Sequence, residues 1–212
     1  MSTLSTEAKI LPHSQRRSAV RKITVTAMLS AVAFALMFVE FPIPALIPSF
    51  VKMDVSDLPA LLGAFSLGPA SGIVISLLKN VLHILIKGTT SGGVGELCNF
   101  VLGAAFACAA GVIYQRSKSR KTAILGAVAG AVFMGLLSVP LNYFVTYPMY
   151  TKFMPLETII GMYQVIRPSA NGLLECLITF NMPFTILKGL LDAVLCFLIY
   201  KPLSPILHGK ND

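Results

Sequence analysis

The sequence predicts an all-α membrane protein, and three observations carry that expectation. Of 212 residues, 55% are hydrophobic and only 12% charged, about half the charged fraction of an ordinary soluble domain. Apolar runs approaching the ~20 residues needed to cross hydrocarbon recur along the chain without alternating apolar and polar positions, which excludes a β-barrel. The basic residues gather at the ends of these runs and are not interleaved with aromatics, so the net charge of +8 reflects topology and not nucleic-acid binding.

Six transmembrane helices are expected, the second one short, with both termini cytoplasmic. Residues 1–22 carry Lys9, Arg16, Arg17, Arg21 and Lys22 without an apolar core and cleavage site of their own, and read as a cytoplasmic basic tail. Residues 23–207 form one membrane domain. Its first span runs from Ile23 to Phe41 and ends at Pro42, Pro44 and Pro48. An extended loop leads to Asp54-Val55-Ser56-Asp57-Leu58-Pro59, a helix start with Ser56 or Asp57 as N-cap and Pro59 in the first turn. The second helix ends near Gly68-Pro69, too soon to cross a full bilayer.

The third span covers Ala70 to Ile86, the fourth Val94 to Tyr114, and the fifth Thr122 to Tyr143, rich in glycine and alanine where helices approach closely. A long loop from Pro148 to Asn171 precedes the sixth, which ends at Tyr200-Lys201-Pro202. Eleven Lys and Arg residues fall on the side of the termini, against Lys52, Lys87, Lys152 and Arg167 on the other. This asymmetry sets the orientation, and leaves the longer, more irregular loops outside, where they can cap a pocket. The two halves share no repeat.

Ionisable groups inside spans need a partner or a cavity, and Lys79, Glu96, Lys188 and Asp192 are such groups. Lys188 and Asp192 are four residues apart on one helical face, which fits an intrahelical ion pair or an ammonium directed into a ligand site. Lys79-Asn80 fits contact with another helix's polar group as well as with a ligand. Glu96 and Asn99 fit a ligand contact or a helix cap. Asn142 and Tyr143 lie beside Phe144, Tyr147 and Tyr150, either an interfacial aromatic belt or the apolar walls of a planar heteroaromatic site, where an asparagine offers both donor and acceptor to an imide edge.

Ala27, Ala31 and Ala35 repeat at i, i+4, i+8 and align small side chains on one face of the first span. Cys98, Cys108, Cys176 and Cys196 lie scattered in apolar sequence and read as small hydrophobes, and His13, His83 and His208 are too dispersed for a metal site. No phosphate loop or hydrolase motif is present, so neither catalytic residues nor a cofactor is expected. An intramembrane hydrolase using Glu96 or Asp192 lacks an assembled nucleophile, base and orienting group. A purely structural subunit is the other alternative.

In order and spacing, Phe41-Pro42-Ile43-Pro44, Lys52 to Pro59, Gly68-Pro69-Ala70-Ser71-Gly72, Leu78-Lys79-Asn80, Asn142-Tyr143-Phe144 with Pro148 and Tyr150, and Pro183-Phe184 followed by Lys188-Gly189 resemble the riboflavin-specific substrate-binding (S) components of energy-coupling factor (ECF) vitamin importers. The resemblance spans Ile23 to Pro202. It implies a six-helix fold that captures riboflavin as transported substrate near the outer face, with Asn142 and Lys188 contacting the flavin. Thr185 stands where that family shows asparagine, which leaves another flavin or vitamin as an alternative substrate. The resemblance also implies docking through Ala27, Ala31 and Ala35 onto a transmembrane coupling subunit (EcfT) driven by two ATP-binding subunits, in the cell membrane.

Overall fold

A computed structural model describes residues 13–89 and 91–208, with side chains described between Arg16 and Tyr200. Lys9 and Lys210, counted above in the charge asymmetry, lie outside the described residues, as do the side chains of His13, Lys201 and His208.

Helix α1 covers His13–Met37. It thus begins within the segment expected to be a tail, so that Arg16, Arg17, Arg21 and Lys22 ride on a helix that continues into the apolar span. It stops four residues short of the expected Phe41. The chain instead forms a small antiparallel pair, β1 (Phe41–Pro42) and β2 (Lys52–Met53), with Phe41 opposite Met53. Proline cannot donate to a helical ladder but is tolerated at a sheet edge, which explains why the helix yields here.

Helix α2 (Leu58–Leu67) has Pro59 in its first turn, where a missing N–H costs nothing. At ten residues it is about 15 Å long and cannot span hydrocarbon. Gly68, at φ 105°, turns the chain directly into α3 (Pro69–Lys87), a conformation that a side chain would resist. Helix α4 covers Val94–Gln115, and α5 covers Arg120–Leu141 behind a capping box in which Ser119 and Thr122 satisfy each other's backbone N–H groups. Close α4–α5 packing follows from the glycines of α5. A methyl group on Gly126 would lie 2.7 Å from the Ala110 carbonyl oxygen, and one on Gly130 2.8 Å from that of Phe106.

The fifth span does not stop at Tyr143, and the segment 148–171 is not an irregular loop. From α5 the chain continues through one wide π turn, Asn142–Thr146, into α6 (Tyr147–Tyr150), making an unbroken stretch Arg120–Tyr150. A separate helix α7 (Leu156–Gln164) follows. The last stretch repeats the device: α8 (Leu173–Cys176), a π turn Leu177–Asn181, and α9 (Met182–His208).

Each wide turn immediately precedes an X-Pro pair, Tyr147-Pro148 and Met182-Pro183. The N–H before each proline reaches back five residues, from Tyr147 to the Asn142 carbonyl and from Met182 to that of Leu177. Proline lacks the next N–H and its ring presses on the carbonyl four residues back, so widening the turn keeps the helix going where a tighter one would break.

Among the described residues, five stretches are long and apolar enough to cross a membrane, and α2 is a sixth, shorter apolar helix. Their buried side chains form two clusters. One joins α1 to α5 and α9 through residues such as Leu29, Leu61, Ile75, Phe106 and Ala131. The other gathers Ile47, Met53, Tyr147, Ile159, Tyr163 and Phe184 under α7 and the first loop.

Candidate functional site

Both apolar clusters contribute to the wall of one cavity of about 510 Å³, Met134 from the first and Ile47, Tyr147 and Phe184 from the second. Its volume lies in the range of small-molecule sites. Glu96, Asn99, Asn142, Thr185 and Lys188, drawn from three helices, all line it. The remaining expected contact, Tyr143, does not. It is exposed, with its ring set edge-on to Phe144 at 5.0 Å. One residue along a helix turns a side chain by about 100°, so if Asn142 faces the cavity its neighbour faces away. Tyr147 and Tyr150 take that place in the lining.

Of the two sequence readings of Lys188, the intrahelical pair with Asp192 is not realised. The Lys188 ammonium is 2.8 Å from Asp54 Oδ2 and 3.4 Å from Asp57 Oδ2, while neither oxygen of Asp192 has a hydrogen-bond partner. Lys188 is therefore a cavity-wall residue held by the first loop, not the partner of Asp192. Asp57 is the N-cap residue of α2, one of the two expected, but its side chain and that of Ser56 do other work. No side-chain cap bond is made at Asp57. Instead the fully buried Lys79 donates to Asp57 Oδ1 at 2.5 Å and to the Ser56 hydroxyl at 2.7 Å. Of the two sequence readings of Lys79, contact with a polar group of another segment is the one realised.

Asp54 knits this network to the loop backbone by accepting the Ser56 N–H at 2.8 Å on its other oxygen. Burial alone would raise its carboxyl, but the charges of Lys188 and Lys79, with hydrogen bonds from Lys188 and Ser56, hold it well below the usual carboxylate range. The four charges thus fix loop 1 over the helices while leaving Lys188, 13% exposed at its side chain, open to the cavity.

A second polar group closes the other wall. Glu96 Oε2 accepts from the Thr89 hydroxyl at 3.0 Å and the Ser91 hydroxyl at 3.4 Å. His83 Nδ1 stands 3.2 Å from Glu96 Oε1 without the alignment of a hydrogen bond. Glu96 therefore organises the α3–α4 loop as well as lining the cavity. At the rim, Glu40 takes Lys52 at 2.7 Å and Lys87 at 3.1 Å. Burial pushes its carboxyl up, and these two lysines bring it below its ordinary value.

Asn142 donates one amide N–H to the Ser138 carbonyl at 2.8 Å, which fixes the orientation of the amide beside the cavity. Asn181, from the second wide turn, accepts from the Tyr163 hydroxyl at 2.7 Å and donates to Tyr147 at 3.4 Å, and the two tyrosine hydroxyls are themselves hydrogen-bonded. This buried trio ties α6, α7 and the start of α9 together. Phe50 from loop 1 is edge-on to Tyr147, Tyr150 and Tyr163, with ring centroids 6.3 to 6.5 Å apart. The result is a pocket with aromatic walls and a few fixed polar groups, suited to a planar heteroaromatic molecule.

The alanine stripe lies elsewhere. Ala27, Ala31 and Ala35 are exposed on α1, opposite the face on which Val25, Leu29, Ala33 and Met37 are buried.

Comparison with known proteins agrees in class with this geometry. Residues 21–203 match the family model "ECF transporter, substrate-specific component", and the chain belongs to that family. The family is a transporter component and not an enzyme. The chain is 35% identical to "Riboflavin transporter RibU" of Staphylococcus aureus (strain TCH60), covering 88% of this chain and 92% of that one. It is 33% identical to "Riboflavin transporter FmnP" of Bacillus subtilis (strain 168), over 91% and 96%. A solved structure, described as "Structure and mechanism of the S component of a bacterial ECF transporter", superposes with a TM-score of 0.69 at 34% identity, covering 89% of this chain and 98% of that chain.

Sequence reasoning missed Asp54 and Asp57 as anchors of the lysines, and Asn181 as part of the site. Charge accounting could have found the two aspartates, because Lys79 and Lys188 each demand a counter-charge inside the membrane and the acidic residues nearest in character stand in the first loop.

Proposed function

We propose that this protein captures riboflavin at the outer face of the cell membrane and delivers it to the cytoplasm together with an ATP-driven coupling module. The observation that carries the reading is the convergence of Asn142, Thr185 and Lys188 on one cavity with Phe50, Tyr147 and Tyr150 in its wall. An ammonium and an amide answer the carbonyls and ring nitrogens of the uracil-like edge, the Thr185 hydroxyl adds a donor and acceptor, and ring faces shield the rest. The names of the relatives above point to the same vitamin.

In this reading both termini are cytoplasmic, as the bias of Lys and Arg supports, and six helical segments including the short α2 form the membrane domain. Ala27, Ala31 and Ala35 offer a flat, exposed face on α1 for close backbone approach by the transmembrane coupling subunit, which two ATP-binding subunits drive.

Purification in detergent followed by a visible spectrum tests the substrate directly, since an isoalloxazine is yellow and most other vitamins are not. Titration with riboflavin, and competition by FMN, then fix which flavin is preferred. A colourless protein that fails to quench riboflavin fluorescence would overturn the assignment.

A further inference from the structure

Asp192 lies on α9 one turn beyond Lys188. It is fully buried, and both its carboxyl oxygens lack a hydrogen-bond partner. The charged groups acting on it are Asp54 and Asp57 from the first loop, Lys79 from α3, and Lys188 on its own helix, with the Cys196 thiol one turn further along. The face of α5 that packs on α9 is built from small and apolar residues such as Ala131 and Met134. Both ammonium groups already answer a carboxylate, Lys79 that of Asp57 and Lys188 that of Asp54. A third ionised carboxylate would leave an unbalanced, unsolvated negative charge in the interior, whereas a carboxylic acid leaves the cluster neutral.

We propose that Asp192 is a proton-binding site inside the membrane domain, and that its occupancy sets where Lys188 presents its ammonium. The second half of the proposal rests on the reading of Lys188 as a ligand contact. With the proton bound, Asp192 is uncharged, and Lys188 stays with Asp54 and Asp57 at the cavity wall. When the proton leaves for bulk water, Asp192 becomes an anion four residues along the same helix face and competes for the ammonium, drawing it away from the cavity. Proton loss and flavin capture therefore oppose each other, and Asp192 is a positioning residue that never touches the ligand.

Infrared difference spectroscopy of the protein in lipid nanodiscs, wild type against Asp192→Asn, reads the carboxylic-acid carbonyl stretch without any ligand. Riboflavin fluorescence quenching reads affinity from neutral to mildly alkaline pH. The acid band is expected in the wild type and missing from the variant. The variant should bind riboflavin like the wild type at neutral pH and hold that affinity at alkaline pH, where the wild type weakens by about tenfold. No acid band in the wild type, or an undiminished band in Asp192→Asn, overturns the proton site. Identical pH profiles for the two proteins overturn its link to Lys188. Asp192→Leu, with the same branching and no charge, serves for the same comparison if the amide variant does not fold. Because the band is read without ligand, failure of the protein to bind riboflavin at all would count against the functional reading and not against the proton site.

Discussion

The ammonium of Lys188 lies 2.8 Å from Asp54 Oδ2, joining residues 134 positions apart in the chain. This one contact ties the first loop to α9 within the wall of the cavity, so Lys188 anchors the loop from inside the lining.

Lys188→Met is expected to weaken riboflavin binding by roughly ten- to a hundredfold, because a desolvated charge-assisted hydrogen bond is worth about 1 to 3 kcal/mol. Asn142→Ala should do similar damage. A double-mutant cycle with Asp54→Asn separates the two roles of the lysine. If Lys188 acts only by holding the loop, the double variant will bind no worse than either single one. If it also touches the flavin, Lys188→Met will remain the weaker binder than Asp54→Asn. Fluorescence titration gives all four affinities.

Lys79 has no exposure to the cavity and meets Asp57 in a dry setting. Lys79→Met should leave that carboxylate only its 3.4 Å contact with Lys188 and lower stability by up to about 3 to 5 kcal/mol, and Lys79→Met with Asp57→Leu should restore much of the loss. Thermal unfolding in detergent measures both. Loss in the double variant equal to that in the single one would show that the aspartate is not what the lysine neutralises.

The depressed carboxyl of Asp54 makes a prediction about acid. A group whose folded value lies below its unfolded value stabilises fully above the unfolded value and loses that contribution as pH falls toward the folded one. The ordinary value is 3.8, and Asp54 is held well beneath it. Unfolding monitored in acid should therefore show wild-type stability declining below about pH 4, with a shallower decline in Asp54→Asn.

Ala31→Trp should abolish uptake by cells or vesicles containing the coupling module while leaving riboflavin affinity within about twofold of normal, since the side chain stands outside the core and away from the cavity. Uptake at the wild-type rate would show that this face meets lipid and no partner.

Much of the helical plan could be read directly from the sequence, because α3, α4 and the start of α5 are bounded by Gly68-Pro69, by the polar run after Lys87 and by the basic turn around Lys118, signals that act locally. The end of the fifth span could not. Pro148 is a helix breaker by local rules, yet the Tyr147 N–H finds the Asn142 carbonyl through a wide turn and the helix goes on. For the site, residue type singled out Lys188, Asn142, Glu96 and Asn99 as candidates and the family resemblance added Thr185, and all five line the cavity. Their partners were hidden. The i, i+4 spacing offered Asp192 to Lys188 as one of two readings, whereas the loop brings Asp54 to it from the far end of the chain, a long-range choice that helical periodicity does not encode. Tyr143 was misplaced for a related reason, since proximity in sequence to Asn142 says nothing about which face a side chain occupies.

The double tether of the first loop has a consequence for biogenesis. Its anchor on Lys79 is complete once α3 has left the ribosome, so Asp57 waits for its counter-ion only until that helix emerges. Asp54 must wait, because Lys188 is synthesised only with the final helix. Nascent chains lacking α9 would carry a preformed scaffold with an unlatched loop, open to water where Asp54 can stay hydrated. Insertion of α9 then brings Lys188 to Asp54 and, with Phe184 and Thr185, completes the lining of the cavity, so that the latch and the wall close in one step.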